Sequence, residues 1–195
     1  LVLLGVIIGL FAELYSKYVL AMQDLGKRWY KNKFILKMSI CGLLLGSIYS
    51  LLPSSFHNLD ELQKIIAEKN TSIEIALLAV FILFITTGLA AASGAPGGLF
   101  YPMLTLGAAI GLIMGSWVEI ATGHAPSTYI FAGMGAFVAG CSRTPITAMF
   151  LAFALTKNLL IMKPVLISCI TSFLIARAFN EKSIYERQIQ IELEE

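Results

Sequence analysis

Apolar residues gather in six stretches, near 1–22, 35–53, 72–92, 99–121, 128–153 and 159–179, separated by short polar connections. A straight membrane span needs about 20 apolar residues, so several of these stretches are long enough and the others are marginal. The fifth carries Cys141-Ser142-Arg143-Thr144-Pro145-Ile146. The residue before a proline disfavours the α region, so this stretch predicts two short helices, 127–141 and 145–156, rather than one. Helices broken inside a bilayer are tolerated only where protein or a water-filled cavity satisfies the freed backbone groups. The pattern therefore fits a transporter or channel better than an anchor. Leu1 to Ala12 could pass for a signal-peptide core, but it has no basic n-region and no initiating Met, and the helical pattern continues through Met22. It predicts a membrane helix, and so abrupt a start is what a fragment would give.

The polar connections refine this reading. Lys27-Arg28-Trp29-Tyr30-Lys31-Asn32-Lys33, with Lys37 just beyond, follows the first apolar stretch and has only Asp24 against it. By the positive-inside rule, loop 27–37 is cytoplasmic, with Trp29 and Tyr30 as interfacial anchors. The C-terminus is expected on the same side. Residues 54–71 are the most polar internal segment, and Asp60 to Lys69 could form a short amphipathic surface helix. Gly107, Gly111 and Gly115 recur every four residues, as do Gly42 and Gly46. Such small-residue faces let helices approach closely in lipid.

Composition decides the class. The chain is 57% hydrophobic and 13% charged, with a mean hydropathy of +0.81. An ordinary soluble domain is about 45–50% apolar, so this is an integral membrane protein. A net charge of +2 with no basic stripe interleaved with aromatics gives no support for nucleic acid. Cys41, Cys141 and Cys169 lie apart in apolar runs and read as small hydrophobic side chains. His57 and His124 lie in polar connections with no second ligand at helical spacing, so neither a metal nor another cofactor is expected. An intramembrane enzyme would need a nucleophile–base pair, a metal cluster or a carboxylate dyad, and the sequence offers none of these.

The most informative segment is Ser93-Gly94-Ala95-Pro96-Gly97-Gly98-Leu99-Phe100-Tyr101-Pro102. Proline is favoured in the first helical turn, so Pro102 is expected to open a helix, with Leu99 and Phe100 at or just before its first turn. Backbone N–H groups there have no intrahelical acceptor and carry the positive end of the helix dipole. Gly94, Gly97 and Gly98 would let backbone approach an ion without side chains in the way. The segment that follows is apolar, so such an anion site would be buried. Glycines before a membrane helix also serve close packing, and spacing alone does not separate the two uses. A phosphate loop is excluded, because no Gly-Lys-Ser/Thr follows the glycines.

These residues resemble a known family. Gly94 to Pro102 looks like the Gly-x-Phe-x-Pro region of the CLC family of chloride channels and chloride/proton exchangers. Leu4-Gly5-Val6-Ile7-Ile8-Gly9-Leu10-Phe11 with Met22-Gln23-Asp24-Leu25 resembles the family's helix J. Phe131-Ala132-Gly133-Met134-Gly135-Ala136 and Arg143-Thr144-Pro145-Ile146-Thr147 resemble helices O and P, and Ser183-Ile184-Tyr185 resembles the segment carrying the central tyrosine. In this order the matches cover nearly the whole chain.

The resemblance implies an all-α integral membrane fold, with residues 1–195 forming the second, C-terminal half of an inverted-repeat domain of broken and tilted helices. It implies chloride as the ligand, bound by the backbone amides of Leu99 and Phe100 and by the Tyr185 hydroxyl, with Gly94, Pro96, Gly97, Gly98, Tyr101 and Pro102 as supporting motif. Without the family match Tyr185 would read as an interfacial tyrosine. The implied partners are chloride and, in the exchanger branch, protons; the lipid bilayer; the missing N-terminal half; and a second copy, through residues 145–156 and 159–179. Lys163 and Pro164 in that last run are awkward against lipid. The family's Gly-Ser-Gly-Ile-Pro and Gly-Arg-Glu-Gly-Pro motifs are not in the sequence. Hydrogen bonds to a charged group contribute about 1.5–3 kcal/mol each and a helix terminus up to about 2. The idealised cost of moving such an ion into low dielectric is of the order of 20 kcal/mol. Donors from the other half are therefore expected to share the ion.

The sequence departs from the family at Ala154, where an acidic residue is usual, at Leu83, where a basic one is, and at Pro53-Ser54-Ser55-Phe56-His57, which replaces a glycine-rich stretch. The missing motifs and Ala154 keep a second function open, a membrane-embedded structural or regulatory half-domain that dimerises without transporting.

Overall fold

Once the chain is in an apolar solvent its backbone N–H and C=O groups must be satisfied internally, and the local solution is helix. The structure, a computed structural model, describes residues 1–29, 34–52, 56, 66, 73–94, 98–122 and 127–193, and among these there is no strand. The helices are α1 (Val2–Trp29), α2 (Phe34–Ser50), α3 (Ile73–Ser93), α4 (Phe100–Thr122), α5 (Ser127–Ser142), α6 (Pro145–Thr156), α7 (Met162–Phe179) and α8 (Ile184–Leu193), with a 3-10 turn at Leu159–Ile161 before α7. The all-helical membrane architecture expected from the sequence is the one found.

Pro145 does break the fifth apolar stretch, standing at the first position of α6 where its missing N–H costs no hydrogen bond. Two boundaries differ from expectation. The first helix passes Met22 and continues to Trp29, carried in part by an i,i+4 pair between Arg28 and Asp24 at 2.9 Å. Lys27 and Arg28 are therefore helical rather than part of a loop, and Lys37 lies inside α2. At 28 residues α1 is about 42 Å long, more than a hydrocarbon core requires. The C-terminal helix α8 is too polar to appear among the apolar stretches.

The centre of the fold is α5. Every residue from Ala132 to Cys141 is buried, and the helix packs against α1, α4, α6, α7 and α8. Small residues make this possible. A Cβ on Gly107 would collide with the Gly133 carbonyl oxygen, and one on Gly111 with that of Tyr129, so α4 and α5 touch backbone to backbone. Gly42 and Gly46 share the spacing but not the use: a Cβ on either would meet nothing within 4 Å. Their helix, α2, packs mainly on α3 and leaves Ile35 and Leu43 exposed.

Several buried Ser and Thr hydroxyls donate to backbone carbonyls, whereas the Tyr15 hydroxyl is buried with no hydrogen-bond partner among the described residues. Ser16 donates to the Ala12 carbonyl at 2.7 Å, Thr87 to Leu83 at 2.6 Å and, between helices, Ser172 to Ala136 at 2.7 Å. Cys141 and Cys169 are buried and Cys41 is half-buried, as small apolar side chains would be. The amphipathic helix expected at Asp60 to Lys69, the Pro53–Ser55 stretch, Tyr30, His57 and His124 lie outside the described residues. Within that region Phe56 and Ile66 are buried against the core.

Candidate functional site

The first part of the site is where α3 gives way to α4. Gly94 takes a φ of 72°, a left-handed conformation that side chains with a Cβ rarely adopt, and its N–H closes a turn on the Ala91 carbonyl at 3.2 Å. Pro96 and Gly97 lie outside the described residues. Gly98 is exposed, and a Cβ added there would meet nothing within 4 Å. Leu99 turns its side chain into the core, and its carbonyl accepts the first α-helical bond of α4, from the Met103 N–H at 3.1 Å. Leu99 is therefore the N-cap and Phe100 the first helical residue. Pro102 does not open the helix, as its type suggested, but stands third in it. The first-turn amides need no intrahelical acceptor, so a proline fits at any of these positions. The Phe100 and Tyr101 amides fall in this same turn. Their side chains are exposed, and the two rings meet edge to face at 6.3 Å.

The second part is the start of α8. Ser183 and Glu186 form a reciprocal capping box: the Ser183 N–H donates to Glu186 Oε2 at 2.6 Å and the Glu186 N–H to Ser183 Oγ at 3.2 Å. Ile184 is buried and anchors the turn, while Tyr185 beside it is 39% exposed. Tyr185 thus stands in the first turn of a helix that packs on α1 and α5, whereas Leu99 and Phe100 begin a helix that packs on α3 and α5. Both α1 and α5 are shared neighbours of the two parts, since α1 touches α4 as well as α8.

A third feature was not read from the sequence. Glu13 of α1 is buried and meets two guanidinium groups, Arg143 Nη2 at 2.9 Å from Oε2 and Arg187 Nη1 at 3.1 Å from Oε1. Arg143 occupies the break between α5 and α6 with a φ of 62°. Its guanidinium also donates to the carbonyls of Ala176 at 3.0 Å and Asn180 at 2.9 Å, and to that of Gly140. Cations suit the negative ends of α5 and α7, and the carboxylate of Glu13 balances part of the charge. A lone acidic residue in the first apolar stretch was the available signal, since ionisable groups inside membrane helices nearly always have partners.

A family model described as "Voltage gated chloride channel" matches residues 1–177. The chain belongs to this family. It is 30% identical over 191 residues to an H(+)/Cl(-) exchange transporter ClcA of Vibrio parahaemolyticus, covering 95% of the chain and 41% of that protein. To the ClcA of Klebsiella pneumoniae it is 32% identical over 194 residues, covering 96% and 41%. The chain thus spans about two fifths of the length of these relatives. Among solved structures, a slow cyanobacterial Cl-/H+ antiporter superposes with a TM-score of 0.87 at 26% identity, over 100% of the chain and 46% of that protein. A eukaryotic CLC transporter shares the fold, with a TM-score of 0.80 at 23% identity, over 98% of the chain and 34% of its own length.

Of the positions where this voltage-gated chloride channel family member departs from the family pattern, Leu83 and Ala154 are described in full, while Pro53–Ser55 and His57 lie outside the described residues. Leu83 is buried within α3, and Ala154 is on an exposed face of α6. Lys163 is exposed in the first turn of α7, with Pro164 third in that helix.

Proposed function

We propose that this chain carries half of a chloride transport path, in which the amides of Leu99 and Phe100 and the hydroxyl of Tyr185 hold the anion. The observation that carries the reading is the start of α4: a buried N-cap, first-turn amides and an exposed glycine in front of them, so that an anion can approach the helix terminus without meeting a side chain. The exposure of Tyr185 at the start of α8 supports its part as a donor. Because the relatives are named as H(+)/Cl(-) exchange transporters, the path is read as proton-coupled. Donors beyond this chain complete the ion's coordination. The apolar residues exposed on α6 and α7, among them Ile146, Phe150, Ile170 and Leu174, suit a second copy of the protein. The basic segment 27–37, spanning the end of α1 to the start of α2, and the C-terminus share one side, which we assign to the cytoplasm. Lys27 Nζ reaching the Ile191 carbonyl at 3.3 Å supports the shared side.

The test is radiolabelled chloride uptake by the intact protein in liposomes, with proton flux recorded in parallel. Tyr185→Phe and a bulky replacement of Gly98 should each change chloride affinity or selectivity, and proton movement should follow chloride. Uptake unaltered by both changes would sink the site assignment, and a correctly inserted protein that moves no anion would favour the structural half-domain.

A further inference from the structure

Tyr185 is only as well placed as α8, and α8 is a weak element by itself. It has 10 residues, below the length at which an isolated helix holds together, and half of them are charged or amide residues. Among the described residues Ile184 and Ile191 pack on the core, and the polar ties to the rest of the fold include Arg187 to Glu13 at 3.1 Å, Gln188 to Gln23 at 3.5 Å, and Lys27 to the Ile191 carbonyl at 3.3 Å. The first lies nearest Tyr185 and is the most enclosed, with side-chain exposures of 15% and 4%. The Arg187 amide also closes the first turn of α8 on the Ser183 carbonyl at 3.1 Å, so this residue belongs to the turn that carries Tyr185.

Glu13 does not hold Arg187 alone. Its other oxygen is held by Arg143, which is fastened to the carbonyl ends of α5 and α7. The turn bearing Tyr185 is thereby tied through one carboxylate to three core helices. Burying two guanidinium groups and a carboxylate is expensive, and apolar side chains of similar volume often stabilise a fold as well or better. Such a network is better suited to fixing a position than to adding stability. A hydroxyl that must meet an ion needs its supporting residues locked in this way.

The geometry points to Arg187, held by Glu13 and Arg143, as the positioning residue for the Tyr185 hydroxyl in the anion path. This rests on the reading of Tyr185 as an anion contact. Removing the Arg187 charge should let the first turn of α8 drift and spoil the hydroxyl's approach to the ion. A merely structural role would lower stability without regard to what residue 185 is.

The test is a double-mutant cycle on the intact protein in liposomes, reading apparent chloride affinity and chloride-over-nitrate selectivity. Arg187→Gln should weaken chloride by about fivefold in the Tyr185 background and have little effect in the Tyr185→Phe background, because coupled positions are non-additive. Arg187→Lys should restore most of the loss. Where Arg187→Gln fails to fold, Glu13→Gln, which keeps the side-chain volume, reads the same coupling. Equal losses in the two backgrounds, or no loss from Arg187→Gln where Tyr185→Phe has an effect, would overturn the inference and leave the anion site standing. No effect from Tyr185→Phe itself would remove both.

Discussion

Two of the breaks between helices, the one before α4 and the one before α6, are finished in opposite ways. Before α6 the break is closed: Arg143, in a left-handed conformation, fills it with a guanidinium bound to three carbonyls and to Glu13. Before α4 the left-handed residue is Gly94, and the position in front of the helix is Gly98, with open space where a side chain would go. A break sealed by charge serves packing, and one left open at a helix N-terminus leaves its first-turn amides facing whatever comes next. On the function proposed above, the difference separates a break that serves packing from the one that would receive the anion.

Four substitutions sharpen this contrast, the largest expected effect coming from the closed break. Arg143→Ala would leave Glu13 half-paired and the ends of α5 and α7 uncovered, and stability should fall by about 3–5 kcal/mol in a detergent unfolding titration, as when one member of a buried ion pair is removed. Gly133→Ala acts on the contact that fixes the breaks relative to each other, since α4 starts at one and α5 ends at the other. Its Cβ would collide with the Gly107 carbonyl oxygen, and overpacking of this kind costs about 1–3 kcal/mol. Gly94→Ala should lower the unfolding midpoint by an amount corresponding to about 1–2 kcal/mol, the cost of a left-handed residue with a Cβ. Gly98→Ala should change stability by less than about 0.5 kcal/mol, as a surface substitution does, yet reduce chloride uptake because the methyl stands before the helix terminus. If Gly98→Ala proved as damaging to folding as Gly133→Ala, the open break would not be open.

Much of the architecture was legible because apolar length and proline position act locally. Pro145 marked its break within the sequence, and the glycines of α4 announced a close helix contact. The same spacing at Gly42 and Gly46 meets no neighbour among the described residues, because whether a small residue faces a partner depends on helices that sequence spacing does not arrange. The end of α1 was misjudged at Met22 because its last turns are polar and are held by side-chain pairs, Arg28 with Asp24 and Lys27 with the end of α8. The helix start at Leu99 and Phe100 could be found from residue types, but Tyr185 came only from family resemblance. Its capping box, Ser183-Ile184-Tyr185-Glu186, was readable and would have predicted α8. The Glu13 cluster was hidden because Glu13 lies more than a hundred residues from either arginine.

The central claim is that the anion sits at the start of α4 with Tyr185 against it. The most direct measurement is anomalous diffraction from crystals of the intact protein grown or soaked in bromide, which replaces chloride and can be located independently of the model phases. The account predicts a peak within hydrogen-bond reach of the Leu99 and Phe100 amides and the Tyr185 hydroxyl, lost or displaced in Tyr185→Phe. Bromide bound elsewhere in the protein, with this position occupied only by water, would contradict it.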